Sequence, residues 1–283
     1  MSDSRAERFA WLGPAVRQTM PEASRAGWMA GFTGPGHVLL AAVMIALGLR
    51  GLACGDFASV WQRIPVEHLP ARAFFVYATA VVELATGVGL LLRRTIAGAS
   101  LALFVFLVLW AVLLKLPAVV VAPSMEATWL GLGEITTILA GSWAVFAVHA
   151  DARVRARLPA LVDARGVRGA RLLLALSLPT IGLAHFVYLP QTVQLMPAWL
   201  PWHHGWAWLT GAASLAACLG ILSGIAAGLA ATLEAAMLGI ITLVIWLPGL
   251  VAAPSDGSVT PFLMSAAIAC GACAVADSYR GNR

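Results

Sequence analysis

The sequence predicts an all-α, polytopic membrane protein with eight transmembrane helices, arranged as two tandem four-helix bundles. Two observations carry this prediction. Of the 283 residues, 60% are apolar and only 11% are charged, and the mean hydropathy is +0.87, so several segments must lie in lipid. The second observation is an internal repeat, in which prolines and glycines recur at one fixed spacing along the chain.

Eight apolar segments have the length that crosses a bilayer, which is about 20 residues for a hydrocarbon core of about 30 Å. They are predicted at 36–54, 71–92, 95–116, 128–149, 170–188, 205–223, 225–247 and 261–277. Arginines gather after the second segment, after the fourth segment and at the C-terminus, and these are Arg93, Arg94, Arg153, Arg155, Arg157, Arg165, Arg168, Arg280 and Arg283. Positive charge is retained on the cytoplasmic side of a membrane. We therefore expect both termini to be cytoplasmic, and the abundance of Ala, Arg and Gly favours a bacterial inner membrane.

The repeat has an offset of 131 residues. The matching pairs are Gly51-Leu52-Ala53 with Gly182-Leu183-Ala184, Leu69-Pro70 with Leu200-Pro201, Leu116-Pro117 with Leu247-Pro248, and Ala122-Pro123-Ser124 with Ala253-Pro254-Ser255. We expect a cytoplasmic tail over 1–32, a first repeat over 33–149, an Arg-rich cytoplasmic linker over 150–169 and a second repeat over 170–278. Each repeat has an even number of helices, so both enter the membrane from the same side. A pseudo-twofold axis along the membrane normal would then relate them.

The order of motifs in each repeat resembles the DoxX-like membrane proteins. A Gly-rich first helix is followed by a Leu-Pro pair, then by a second helix with the pattern aromatic-x-x-small-x-x-Glu-x-x-x-Gly, and then by a third helix ending in Leu-Pro. In the second repeat the resemblance is carried by Gly182-Leu183-Ala184-His185-Phe186 and Met196-Pro197-Ala198-Trp199-Leu200-Pro201. The resemblance covers each half nearly end to end. The first copy departs from the pattern at Ala80, where a Gly is usual, and the second has Ser214 in place of Glu83.

This resemblance implies a function in redox chemistry. DoxX-like proteins are similar to the small membrane subunit of a thiosulfate:quinone oxidoreductase. The resemblance therefore implies a quinone as the cofactor and a redox subunit as a partner, beside the lipid bilayer itself. Because the second copy lacks the carboxylate, the activity of that enzyme is not carried over directly, and whether this chain is itself an enzyme is left open.

Five ionisable side chains within the apolar segments are candidates for a ligand site or a proton relay, and these are Arg50, Glu83, Lys115, Glu134 and Glu234. A charge near the bilayer centre costs about 2.5–3.5 kcal/mol on insertion scales, so each one needs a partner, a proton or a function. All but Glu234 would lie at similar depth in the first unit. They are expected either to pair for structure or to form a polar site for a quinone headgroup, a small anion or a proton. Glu234 has no base at its depth in its own half, so it is expected to be protonated, hydrogen-bonded or in contact with the other half.

Aromatic and histidine residues suggest a second place for a ligand. His185, Trp199, Trp202 and His203 are candidates for a quinone or lipid slot, although an interfacial aromatic belt would place tryptophans there as well. His37 and His149 could face each other as haem ligands do, but histidine is commoner as an interfacial residue and haem is disfavoured. No metal site is predicted, because no histidine pair has a ligand spacing. Cys270 and Cys273 are expected to serve as small packing residues.

Three functions remain compatible with the sequence. The preferred one is a quinone-associated protein or a membrane subunit of a redox system. The alternatives are a non-catalytic membrane scaffold or biogenesis factor and a transporter of a small solute. Transport is less favoured because Pro117 and Pro248 are expected at helix ends and not at the midplane, where transporter helices unwind. The chain has no phosphate-binding loop for a nucleotide-driven pump and no basic, aromatic-interleaved patch for nucleic acid.

Overall fold

The computed structural model describes residues 34–57 and 69–280, which form helices joined by short connections. Eight of these helices are long and apolar enough to cross a membrane. They are α1 (Pro35–Cys54), α2 (Arg72–Leu91), α3 (Ile96–Val121), α4 (Glu126–His149), α5 (Asp163–Val187), α6 (His203–Ser223), α7 (Ala227–Ala252) and α8 (Asp256–Asp277). The prediction of an all-α, eight-helix membrane protein is confirmed for this part of the chain. The predictions made for the tail 1–32 and for Arg283 lie outside the described residues.

The eight helices form a closed ring. Each helix packs against the next one along the chain, and α8 packs against α1. In addition, α4 and α8 pack against each other across the middle of the ring. Burial follows this arrangement, since 83% of the apolar window of α4 and 61% of that of α8 is buried, against 22% for α3 and 11% for α7. Helices α3 and α7 therefore present most of their apolar surface to lipid.

The central helices approach each other at a pair of glycines. A Cβ atom added to Gly141 of α4 would come within 2.5 Å of the backbone of Gly271 on α8. Only residues without a side chain allow two helix backbones to come this close, and membrane helices use small residues for such contacts. This contact joins the two repeats at the centre of the protein.

The helix boundaries keep the offset of the repeat. Helices α2 and α6 begin at Arg72 and His203, and α3 and α7 span 96–121 and 227–252, so each pair differs by 131. The packing of α4 on α5 recurs as the packing of α8 on α1. These correspondences agree with a duplication, and the pseudo-twofold axis along the membrane normal stays a prediction.

The sequence predicted that α3 and α7 end at their Leu-Pro pairs, and this prediction is wrong. Both continue past Pro117 and Pro248, and each contains a π-helical turn just before the proline, at Ala111–Lys115 and Thr242–Trp246. Proline lacks an N–H group and is tolerated in the first turn of a helix, where that group has no partner. The π-turn lets a new α-helical segment begin at Leu116 and Leu247, with the proline in its first turn.

Two helices begin earlier than predicted. Helix α5 begins at Asp163, within the stretch expected to be the linker 150–169, and another part of that stretch forms a short helix at Ala152–Arg157. The first turns of α5 bury Gly166 and Val167, while Arg165 and Arg168 stay exposed. The start of this helix is therefore amphipathic, and its basic residues made it resemble a polar linker in the sequence. Helix α8 begins at Asp256, five residues before the predicted start, because Ser255 and Ser258 cap it.

Candidate functional site

A cavity lies between α1, α2, α3 and α4, and Met264 of α8 completes its wall. Its volume is about 40 Å³, which is room for about three water molecules. Most of its walls are aliphatic or aromatic, and these residues include Met44, Leu47, Val76, Phe106, Leu107, Trp110, Ile135, Ile138 and Met264. Its polar side chains are Asp56, Thr79 and Glu83. This is the composition of a small-molecule site, with apolar walls and a few polar groups that fix orientation.

Helix α2 places Glu83 in this cavity. Val76, Thr79, Ala80 and Glu83 line it together, because residues three and four apart lie on one face of a helix. The Thr79 hydroxyl donates to the carbonyls of Phe75 and Val76, both at 2.9 Å, and so can still accept a hydrogen bond from a ligand. Among the described residues, the Glu83 carboxyl makes no hydrogen bond or ion pair. This carboxyl can therefore form a hydrogen bond with a ligand in the cavity.

Arg50 holds the end of α1 and does not pair with Glu83. Its guanidinium donates to the carbonyls of Asp56 at 3.0 Å and Phe57 at 2.6 Å. It also lies 3.3 Å from the carboxylate of Asp256, at the start of α8. The Arg50 charge acts on Glu83 only through space. Arg50 therefore fixes the turn beside the cavity and ties it to the second repeat.

Lys115 and Glu134 form a separate group at the contact of α3 with α4. Lys115 ends the π-turn of α3 and is 6% exposed. A Cβ atom added to Gly131 would lie 3.2 Å from its Nζ atom, and Glu134 follows Gly131 by one turn on α4. Lys115 and Glu134 interact electrostatically. Neither of them lines the cavity, so the four charged candidates of the first repeat are divided between two places.

The second repeat has a different arrangement at the same positions. The hydroxyl of Ser214, the counterpart of Glu83, donates a 2.9 Å hydrogen bond to Oε1 of Glu234 on α7. Both side chains are buried. The counterpart of Glu134 is Ser265, which hydrogen-bonds Thr242 at 2.8 Å. Glu234 is thus hydrogen-bonded within its own half, which is one of the alternatives that the sequence left open.

A phenylalanine packs at the equivalent place in the second repeat. Phe186 stands at the position of Gly55, and its ring packs so closely on Gly211 that an added Cβ atom would lie 2.7 Å from it. Gly211 is the counterpart of Ala80, which lines the cavity of the first repeat. The ring of Trp208 packs on Phe186 with centroids 5.0 Å apart. Sequence reasoning missed Phe186, although comparing the two repeats position by position shows the change from Gly55.

The four candidates for a quinone or lipid slot lie around the end of α5 and the start of α6, and none of them lines the cavity. His185 and His203 each have a ring nitrogen within hydrogen-bonding distance of a carbonyl, of Ile181 at 3.0 Å and of Pro197 at 3.1 Å. Trp199 and Trp202 are 69% and 73% exposed. Such exposure of tryptophan is typical of an interfacial belt.

The structure brings His37 and His149 together, with ring centroids 6.3 Å apart. In each, Nδ1 lies near a carbonyl of its own segment, that of Gly34 or Val145. Within the described residues, no three His, Cys, Asp or Glu side chains come together as metal ligands. Cys270 and Cys273 are free thiols, half-buried on α8.

Fold and site define a multi-pass α-helical membrane protein whose helices α1 to α4 surround a carboxyl-lined cavity. The chain matches no family model, no curated protein and no solved structure. The DoxX-like resemblance accordingly rests on the sequence motifs alone.

Proposed function

We propose that this chain is a DoxX-like, quinone-associated protein of a bacterial inner membrane, and that it serves as a membrane subunit of a redox system. The quinone headgroup would bind in the cavity of the first repeat. The observation that carries the proposal is the Glu83 carboxyl, which faces an apolar and aromatic cavity without a hydrogen-bonding partner among the described residues.

The chemistry of the cavity suits a quinone ring. Phe106 and Trp110 offer apolar surfaces for the faces of the ring. The two carbonyl oxygens of a quinone need hydrogen-bond donors, and a protonated Glu83 would supply one. Reduction of a quinone to a quinol adds two electrons and two protons, so a carboxyl group beside the ring can also transfer a proton.

The cavity must widen to admit a ring. Its volume suits a few water molecules, but Met44 and Met264 form part of the wall, and methionine has three rotatable bonds and adapts to different neighbours. Rotation of these two side chains would enlarge the cavity without moving a helix. In the second repeat, Phe186 packs on Gly211, the counterpart of Ala80.

The proposed orientation, with both termini cytoplasmic, rests on the arginines. We call the end of the bundle at which α1 begins the N-terminal face, and the other end the opposite face. Arg93, Arg94 and the basic residues between α4 and α5 all lie at the N-terminal face. Fusing a reporter that is active only in the cytoplasm to the C-terminus tests this orientation, and an inactive fusion would contradict it.

The decisive experiment is purification from bacterial membranes followed by extraction and chromatography of bound quinone. We expect quinone in stoichiometric amount with the wild-type protein and a loss of it in Glu83→Leu, which removes the hydrogen-bond donor. Ser214→Ala is the matched control, because it changes the equivalent position of the second repeat. A wild-type protein that carries no quinone and does not bind an added short-chain quinone would remove the proposal.

A further inference from the structure

Glu234 is a carboxyl group enclosed in the second repeat. Its residue is 2% exposed and that of Ser214 is 0% exposed. Oε1 accepts the hydrogen bond from Ser214, whereas Oε2 is buried and has no hydrogen-bonding partner among the described residues. One oxygen of the carboxyl group therefore accepts a hydrogen bond, and the other has none among the described residues.

Among the described residues, no charged side chain interacts with this carboxyl. Helices α6 and α8 pack on α7. Apart from the histidines at the start of α6 and the aspartates at the two ends of α8, the titratable groups of these two helices are the thiols of Cys218, Cys270 and Cys273. An isolated carboxylate in an apolar interior is very costly, and such a group becomes neutral instead. A neutral acid needs only the Ser214 hydrogen bond and carries an O–H group on Oε2.

We propose that Glu234 and Ser214 form a proton-binding site inside the second repeat, separate from the cavity of the first. Glu234 lies seven residues from the start of α7, about 10 Å along the helix, and 18 residues, roughly 27 Å, from its end. Gly228, Ala230 and Ala231 lie between Glu234 and the N-terminal face, and Gly228 packs there against the ring of Tyr279. The proton therefore exchanges with the N-terminal face. This site does not depend on quinone binding.

A hydrophobic carbodiimide tests the site, because it reacts with protonated carboxyl groups inside membranes. The O–H of the acid adds across one C=N bond, so the carboxyl oxygen bonds the central carbon and the proton moves to nitrogen. In membranes treated with dicyclohexylcarbodiimide, we expect the adduct on the α7 peptide by mass spectrometry. The adduct should be lost in Glu234→Gln, retained in Glu83→Gln, and diminish as the pH rises.

Infrared spectra give a second measurement that does not depend on reagent access. Glu234→Gln should lose one protonated-carboxyl band of the wild type, and Ser214→Ala should shift that band to higher frequency, because it removes the hydrogen bond to Oε1. The Ser214→Ala result serves alone if Glu234→Gln does not fold. An α7 peptide without adduct, together with unchanged infrared bands, would overturn the proposal. Protection from the reagent by sodium but not by choline would also overturn it, in favour of a metal-cation site.

Discussion

The hydroxyl of Ser214 occupies the position at which the first repeat carries Glu83, and it donates its 2.9 Å hydrogen bond to Glu234 on the neighbouring helix. Each repeat thus has a carboxyl group within an apolar helix, Glu83 on α2 in the first repeat and Glu234 on α7 in the second. The counterpart of Glu234 in the first repeat is Leu103, an apolar residue. Because the counterparts of these two acids are Ser214 and Leu103, the four-helix arrangement does not require a carboxyl at either position.

The first prediction concerns Glu83. Replacing it with Leu removes the hydrogen-bond donor but keeps a similar size, and we expect the affinity for a short-chain quinone to fall about tenfold, or about 1.4 kcal/mol, as for the loss of one strong hydrogen bond. Quenching of tryptophan fluorescence by the quinone measures this affinity. Ser214→Ala should leave it unchanged, and equal effects of the two substitutions would contradict an asymmetric site.

The second prediction concerns the size of the cavity. Ala80 lines it and is 1% exposed, so Ala80→Leu would place three more carbon atoms in the space where the ligand binds. We expect quinone binding to be lost, with a destabilisation of about 1–3 kcal/mol because the new side chain must displace its neighbours. Ala80→Ser adds little volume and serves as the control. Full binding by the leucine variant would place the ligand elsewhere.

The third prediction concerns the second repeat. Phe186→Ala removes the ring that packs on Gly211 and leaves a space like the cavity of the first repeat. Because Phe186 is half-buried, we expect a loss of stability of about 2–3 kcal/mol, below the range for a fully buried phenylalanine. Thermal unfolding in detergent measures it, and a small apolar compound should raise the melting temperature of this variant alone. A variant as stable as the wild type would show that Phe186 does not fill the space.

The fold was largely predictable because the number and approximate length of the helices follow from local hydropathy and from the positions of prolines. The continuation of α3 past Pro117 was not, because a π-turn has no hydropathy signal of its own. The start of α5 at Asp163 was missed because its exposed arginines lower the mean hydropathy of a turn whose other face is buried.

The candidate site was only partly predictable. Glu83 was conspicuous as a charge in an apolar helix, but the sequence did not show that Arg50 would bind the carbonyls of Asp56 and Phe57 instead. Similar depth in the membrane does not establish contact, since side chains on one level can point to different neighbours. The partners of these charges depend on helix rotation, which apolar periodicity alone defines weakly when most faces of a helix are apolar.

The last prediction concerns Lys115 and Glu134, for which pairing and a ligand site were both open. If they form a structural ion pair, Lys115→Met should destabilise the protein by about 3–5 kcal/mol, because it leaves the carboxylate without its base in an apolar surrounding. Adding Glu134→Gln should restore part of that loss, since the double variant has no buried charge. Unfolding of the two single variants and the double variant in detergent gives the coupling free energy, which we expect to exceed about 1 kcal/mol.

The hydroxyl pair Thr242 and Ser265, at the matching contact of the second repeat, supplies the control for this cycle. Its coupling should be smaller, because a hydrogen bond between neutral groups contributes only about 0.5–1.5 kcal/mol. Quinone binding measured on the same variants then separates the two roles of the charged pair. A structural pair changes stability and leaves the affinity of the folded protein intact, because neither residue lines the cavity. A loss of affinity in Lys115→Met at unchanged stability would instead make the pair part of the ligand site.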